Sequence, residues 1–336
     1  MTRTSSTLGS ALRAATAAPM ESALLKHGIR AAVRTASYPD TMLVLAALLS
    51  AVAVITAAAL KATLLAGPPA RLEITNFRGR VVPSVGGLVI LMTVLVCEAL
   101  LAMAALLKPV GLSGSRAFSP AAIPDTFVSG DHAGFILLVV GFFALGLLDD
   151  LAGSGKDKGL RGHLTAMKQG RLTTGAVKLL GGGLIAFVAA SLWELRIFPA
   201  LVDALLVALA ANLINLLDLR PGRASKWFLI GWLPMVLIGW HQPWAPLSAV
   251  VATAVIVWIG TDLAERGSLG DSGSNLLGAV LGAGAALVAP TGVKILLVLL
   301  LGALTAASER FSFTKVIEDT PALRWFDSLG RVREEN

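Results

Sequence analysis

Nine apolar stretches, each close to the roughly 20 residues that a helix needs to cross a bilayer, constrain this chain more than any motif it carries. They run near 41–66, 84–107, 133–148, 176–193, 199–217, 226–240, 244–261, 273–290 and 291–308. The third and sixth are short, which suits helices with little tilt or a locally thin bundle. With 55% hydrophobic and 15% charged residues and a mean hydropathy of +0.77, the 336-residue chain is excluded from the soluble globules, whose charged share is about a quarter. The expected fold is therefore all-α: a polytopic integral membrane bundle of about nine transmembrane helices, with polar loops as the place for any active site. The single cysteine, Cys97, sits inside an apolar run and offers neither a disulfide framework nor a thiolate metal site.

Lysine and arginine set the expected orientation. The loops after the first, third, fifth and seventh runs, together with the C-terminal tail 309–336, hold most of them, including Arg71, Arg78, Arg80, Lys156, Lys158 and Arg161. The opposite loops hold Lys108, Arg116, Arg196 and Lys294. By the positive-inside rule the first set faces the cytoplasm, so the net charge of +7 is mostly a topology signal and calls for no nucleic-acid partner. Residues 1–40 conflict with this scheme: Arg3, Arg13, Lys26, Arg30 and Arg34 outnumber Glu21 and Asp40, yet fall on the outer side. Such a basic, acid-poor leader suits a transit peptide or an amphipathic surface helix; the favoured reading is a dispensable extension, poorly ordered or amphipathic, with translation expected to begin at Met20 or Met42.

Five polar clusters emerge on the basic side: 76–87, Asp149-Asp150, Lys178, 212–218 and Gly270–Ser274. Each has an ordinary explanation. Asp271 or Ser272 can simply cap a helix, Asp149 and Asp150 can be a solvated boundary pair, Asn212 and Asn215 can be interhelical glue, and Lys178 can snorkel. Each also points toward phosphate or metal. Two acids at a helix C-terminus add to an already negative dipole end and ask for a cation, naturally a divalent metal. Lys178 at a helix start asks for an anion. Asn212, Asn215 and Asp218 form one stripe ending at the mouth, and the glycines around Asp271 permit close approach of a phosphate or metal. Glu98 and Asp203 lie toward the far side and read as structural or channel-facing acids; His163 is a lone loop histidine. Tryptophans near the helix ends, such as Trp193, Trp227 and Trp240, match an interfacial aromatic belt.

In order along the chain, Asn76-Phe-Arg-Gly-Arg80-Val-Val-Pro83-Ser-Val-Gly86-Gly87, Gly146-Leu-Leu-Asp149-Asp150, Lys178, Ala211-Asn212-Leu-Ile-Asn215-Leu-Leu-Asp218 and Gly270-Asp271-Ser-Gly-Ser274 resemble the motifs of the polyprenyl-phosphate N-acetylhexosamine-1-phosphate transferases. That family includes the phospho-N-acetylmuramoyl-pentapeptide transferases. The resemblance implies transfer of a sugar-1-phosphate from a UDP-sugar to a polyprenyl phosphate at the cytoplasmic face of the plasma membrane, with release of UMP. It implies service in cell-wall or surface-glycan synthesis and dependence on Mg²⁺, with Mn²⁺ as a substitute. It implies Asp271 and Asp150 as metal ligands, with Asp218 as an alternative second contact, and Asp149 as the group that orients or deprotonates the lipid phosphate. Arg78, Arg80 and Lys178 would bind phosphate charge; Asn212, Asn215, Asp218, Ser272 and Ser274 would complete the substrate site. A homodimer is allowed.

The departures are specific. Where the family continues Asp-Gly-x-Asp-Gly, this chain reads Asp218-Leu-Arg220-Pro221-Gly222-Arg223, and no histidine follows His241, so the family's histidine-rich loop is missing. Ser308–Lys315 stands in its place, with Arg310 and Lys315 as candidate replacements. A different class of function, a transporter or non-catalytic membrane protein built on the same fold, would suit the lost donor motifs. Against it, the polar clusters sit at one mouth instead of the midplane, and no inverted repeat is visible.

Overall fold

The structure, a computed structural model, describes residues 42–107, 129–152 and 174–332. Its long helices are α1 (Met42–Ala66), α2 (Gly86–Leu107), α3 (Gly130–Ala152), α4 (Thr174–Trp193), α5 (Ile197–Leu217), α6 (Arg223–Gly239), α7 (Ala245–Leu263), α8 (Gly270–Val288) and α9 (Thr291–Ser308). Two short helices follow, α10 (Phe313–Asp319) and α11 (Pro321–Ser328). Each apolar run holds one long helix. The basic N-terminal extension and His163 lie outside the described residues.

Among the described residues, seven helices are long and apolar enough to cross a membrane, α1 to α5, α7 and α9, which corrects the expected nine. The two exceptions have physical reasons. Helix α6 has 17 residues, opens on Arg223 and Lys226 and carries Pro234 inside. Helix α8 spends its opening turns, Gly270–Asn275, on polar and small residues. It needs no lipid-compatible surface, because every residue from Gly270 to Ala286 except Asp271 is buried. Helices α2, α3, α5 and α6 surround it. The close approach to α5 depends on glycine: a Cβ at Gly278 would strike the Ala211 backbone, and one at Gly282 would lie 2.5 Å from the Val207 Cα. This is the small-residue packing that lets membrane helices touch backbone to backbone.

The perimeter is apolar in the opposite sense from a soluble protein. Ile55 on α1, Leu184 on α4 and Leu296 and Leu299 on α9 are all exposed, and α9 buries none of its residues. Such a surface is stable only against hydrocarbon. Helix α1 packs on α2 and α7, with Cys97 Sγ facing the Leu49 carbonyl and Lys61 donating to the Val257 carbonyl at 3.0 Å.

Two short strands depart from the all-helical expectation. Strand β1 (Glu73–Thr75) pairs antiparallel with β2 (Val81–Pro83), Ile74 opposite Val82. Asn76 shapes the turn: its Oδ1 accepts from the Arg78 and Arg80 backbone N–H groups at 2.9 Å each, and Gly79 takes φ of 77°. From Pro83 onward the chain is zipped to the segment before α8, with Ser268 N donating to Pro83 O, Gly86 N to Ser268 O and Gly87 N to Leu269 O.

At the other end of the bundle the stray acids are paired. His132 Nε2 lies 3.1 Å from Glu98 Oε2, while Asp203 accepts from Trp193 Nε1 at 3.0 Å and faces Lys294 Nζ at 2.8 Å. These bridges join α2 to α3 and α4, α5 and α9, so the two acids act as structural ties.

Substituting Gly278 by leucine should overpack the α5–α8 contact and cost about 2 kcal/mol. Gly302, with open space around its Cα, is the control and should tolerate leucine. Thermal melting of both variants in detergent checks this; equal melting of the two would refute the packing account.

Candidate functional site

The C-terminus of α3 meets the N-terminus of α8 at one mouth of the bundle, and Gly146 permits the crossing, since any Cβ there would collide with the Asp271 carbonyl. Asp150 then reaches across. Its Oδ1 accepts from Asp271 N at 2.9 Å and its Oδ2 from Ser272 N at 3.0 Å. A carboxylate is thus the cap of a helix start that has no capping side chain of its own. The positive end of α8 offsets the charge that α3 places at its own negative end.

Asp149, its neighbour, is held differently. Lys178 Nζ from α4 lies 3.0 Å from Asp149 Oδ2 and 2.6 Å from Asp271 Oδ2. The anion that a lysine at a helix start demands is therefore this pair of carboxylates. Asp271 is the one residue in Gly270–Ala286 not buried, so its carboxylate faces the open mouth. Three residues from three helices, about thirty and ninety positions apart in sequence, meet at one ammonium group.

Other expected site residues divide. Asn215 Oδ1 accepts from Ser274 Oγ at 2.9 Å, tying α5 to α8 beneath the cluster. Asn212 is not brought to the mouth: its Nδ2 donates to Thr305 Oγ1 on α9 at 3.2 Å, the interhelical contact an amide usually makes in a membrane bundle. Ser272 and Ser274 are buried, and Ser272 contributes its backbone N–H to Asp150. Arg78 pairs with Glu265 at 3.1 Å, while Arg80 is exposed at the hairpin tip. Arg310 and Lys315 are exposed and do not line the cleft.

That cleft, about 300 Å³, lies between the hairpin and the loop Asp218–Pro221, with Asp262, Glu265 and Ser268 on its wall. Asp262 and Glu265 were not singled out from sequence. Asp262 accepts from the Gly222 N–H at 2.9 Å, and Glu265 accepts from Asn76 Nδ2 at 3.2 Å. Glu265 is the one non-glycine residue with positive φ, 54°, among the described residues, a strained backbone often found where function fixes geometry. The available signal was two acids ending the seventh apolar run on the same side as Asp271.

Burial, followed by the neighbouring carboxylates of Asp262, Asp271 and Asp150, pushes the Asp218 carboxyl well above its ordinary range, against the pull of Arg223. Asp150, Asp218, Asp262 and Asp271 so gather at a mouth where Lys178 is already shared between Asp149 and Asp271. As they stand, no three His, Cys, Asp or Glu groups among the described residues converge as a ready cage. The donor set nevertheless fits Mg²⁺, which takes one or two protein carboxylates and fills its shell with water and substrate phosphate oxygens. Asp271, which faces the mouth, and Asp218, close enough for the Asp271 charge to act on it, are residues that could hold it, while both oxygens of Asp150 already accept backbone N–H groups.

The C-terminal segment closes one side of the mouth. Arg223 grips Asp327 bidentately, Nε to Oδ1 and Nη2 to Oδ2 at 2.8 Å each, and Lys226 Nζ donates to the Asp327 carbonyl at 2.8 Å. Arg331 Nε donates to Pro221 O at 3.0 Å, and Arg220 reaches Glu318 at 2.9 Å. Thus the loop from Asp218 to Arg223 is pinned to the C-terminal segment that carries α10 and α11.

No family model matches the chain, and no curated protein matches it in sequence. The likeness to the phosphosugar transferases therefore rests on the ordered motifs of the sequence alone.

Burial alone would raise the Asp327 carboxyl, but Arg223 and Arg331 hold it below its usual value. A depressed folded-state value means the stabilisation is complete above the unfolded value of about 4 and is lost as pH falls through the lower folded value. Acidification should therefore release the C-terminal segment to limited proteolysis, and Asp327→Asn should show that release already at neutral pH. Identical cleavage of wild type and variant across the pH range would refute the Asp327 anchor.

Proposed function

We propose that this protein transfers a sugar-1-phosphate, of the N-acetylhexosamine class, from a UDP-sugar to a polyprenyl phosphate at the cytoplasmic face of the plasma membrane, releasing UMP. The observation that carries this reading is the meeting of Asp149, Lys178 and Asp271, three motifs far apart in the chain, within 3.0 Å at one mouth of a membrane bundle. A soluble donor and a lipid acceptor can meet only at such a place.

In the reaction an oxygen of the polyprenyl phosphate attacks the sugar-linked phosphorus of the donor. A new P–O bond forms, the bond between the two donor phosphorus atoms' bridging oxygen and that phosphorus breaks, and UMP leaves with the electron pair. The acceptor phosphate is a competent nucleophile as a dianion, so positioning and charge neutralisation carry most of the rate and no covalent enzyme intermediate is required. Asp149 orients the acceptor or removes its last proton. Lys178, freed from part of its carboxylate contacts by incoming phosphate, neutralises the charge that builds on the phosphoryl oxygens. Asp150 acts by holding α8 in place, which keeps Asp271 aimed at the mouth. Mg²⁺ bound at Asp271 and Asp218 would supply charge neutralisation of the diphosphate and the leaving oxygen.

The test is a radiolabelled transfer assay in membranes with undecaprenyl phosphate and a panel of UDP-sugars. Asp271→Asn and Lys178→Met should each lower turnover by about a hundredfold or more, and chelation of divalent cations should abolish it. Absence of turnover with every donor, in a protein that is folded and inserted, would instead favour a non-catalytic or transporter-like membrane protein.

A further inference from the structure

Helix α11 is amphipathic the wrong way round for a helix in water. Its acid, Asp327, is buried against Arg223, whereas Trp325 and Leu329, four residues apart, are 66% and 41% exposed. Val332 continues that apolar edge at 51% exposed. Position explains the inversion. Helix α9 ends at Ser308 with a wholly unburied apolar surface, so the segment that follows starts at the bilayer boundary, and Phe311 lies within about 10 Å of it by chain reach alone. Asp327 is also moored to the first turn of α6, at the same level.

Beside this edge lies a second pocket, about 460 Å³, between the hairpin tip, Arg220 and α11. Its lining joins the apolar side chains of Trp325, Leu329 and Val332 to the charged ones of Arg220, Arg331 and Glu318. Arg220 lies 4.5 Å over the Phe77 ring and uses Nη2 on Glu318, while Arg331 uses Nε on Pro221 O and Nη2 on Asp327. A guanidinium carries five N–H donors, so both keep donors for a further anion. Phe77 and Arg220 belong to the walls of both this pocket and the acidic cleft, which makes the two continuous neighbours.

We propose that this pocket holds the phosphate-bearing head of an anionic lipid, with the lipid chain lying along Trp325, Leu329 and Val332. Guanidinium groups and exposed apolar side chains lining one pocket, on the segment that follows the apolar helix α9, are the combination that an anionic amphiphile fits and that a soluble anion would not need. Two sources share this chemistry: the bulk anionic phospholipid of the leaflet, and the polyprenyl phosphate of the proposed reaction waiting beside the cleft. The proposal rests on the placement of the chain in a bilayer and stands whether or not the transfer reaction does.

The experiment uses the full-length protein in phosphatidylcholine vesicles and reads Trp325 as the difference in emission between wild type and Trp325→Phe. Brominated phosphatidylglycerol should quench that difference signal more than brominated phosphatidylcholine at equal mole fraction. Arg220→Gln should raise the amount of anionic lipid needed for half-quenching by about fivefold, and Arg220→Lys should restore most of it, which separates loss of charge from loosening of the segment. Relief of quenching by unlabelled polyprenyl phosphate at far lower mole fraction than unlabelled phosphatidylglycerol supports the site with the acceptor as occupant; equal potency supports it with bulk lipid. Equal quenching by the two brominated lipids, indifference to Arg220→Gln, or a Trp325 signal quenched only by aqueous iodide would overturn it. A protein inert in the transfer assay that still shows selective quenching would sink the transferase reading alone.

Discussion

A helix that begins inside a bundle must satisfy its first backbone N–H groups without water, and α8 does so with the carboxylate of Asp150, supplied by α3. Much of the mouth follows from that contact. It fixes the crossing of α3 and α8, which places Asp149 one residue away from the cap and Asp271 at the helix start. Lys178 can then bridge those two acids from a third helix. The cap contributes on the order of 1 kcal/mol as a hydrogen-bonded pair, but its larger effect is geometric, because it removes the freedom of α8 to slide or rotate at the end where the acids gather.

Charge is distributed with a division of labour. At the far end, Glu98 and Asp203 are matched by His132, Trp193 and Lys294 and serve packing. Toward the C-terminal segment, Asp327 is overmatched by Arg223 and Arg331 and serves anchoring. Between these, around Asp218, the carboxylates of Asp262, Asp271 and Asp150 act together and outweigh the pull of Arg223. Crowded carboxylates have raised affinity for protons and cations alike, a property that the balanced pairs elsewhere lack.

The helices were legible because hydrocarbon imposes a length, and each apolar run became one helix. The meeting of Asp149, Lys178 and Asp271 was legible because topology sends all three to one side and their order matches a known pattern. Other features were not, for identifiable reasons. Helix α8 was counted as a span by its apolar second half, whereas its polar first half is affordable only in a protein-lined interior. The direction Asn212 faces depends on α9, which spacing along α5 does not report. Strands of three residues, such as Glu73–Thr75, are too short for a period-2 signal. Asp262 and Glu265 carry no motif, and the φ of 54° at Glu265 leaves no trace in residue type.

The burial of α8 bears on how the protein is made. A segment opening Gly-Asp-Ser-Gly-Ser-Asn is a poor substrate for partition into lipid by itself. Its stable position exists only once α2, α3, α5 and α6 supply backbone-tight grooves and a capping carboxylate. For α8, then, the position in the bundle is set by tertiary contacts rather than by partition into lipid, so the two stages usually separate for membrane helices are not separable at this point of the chain.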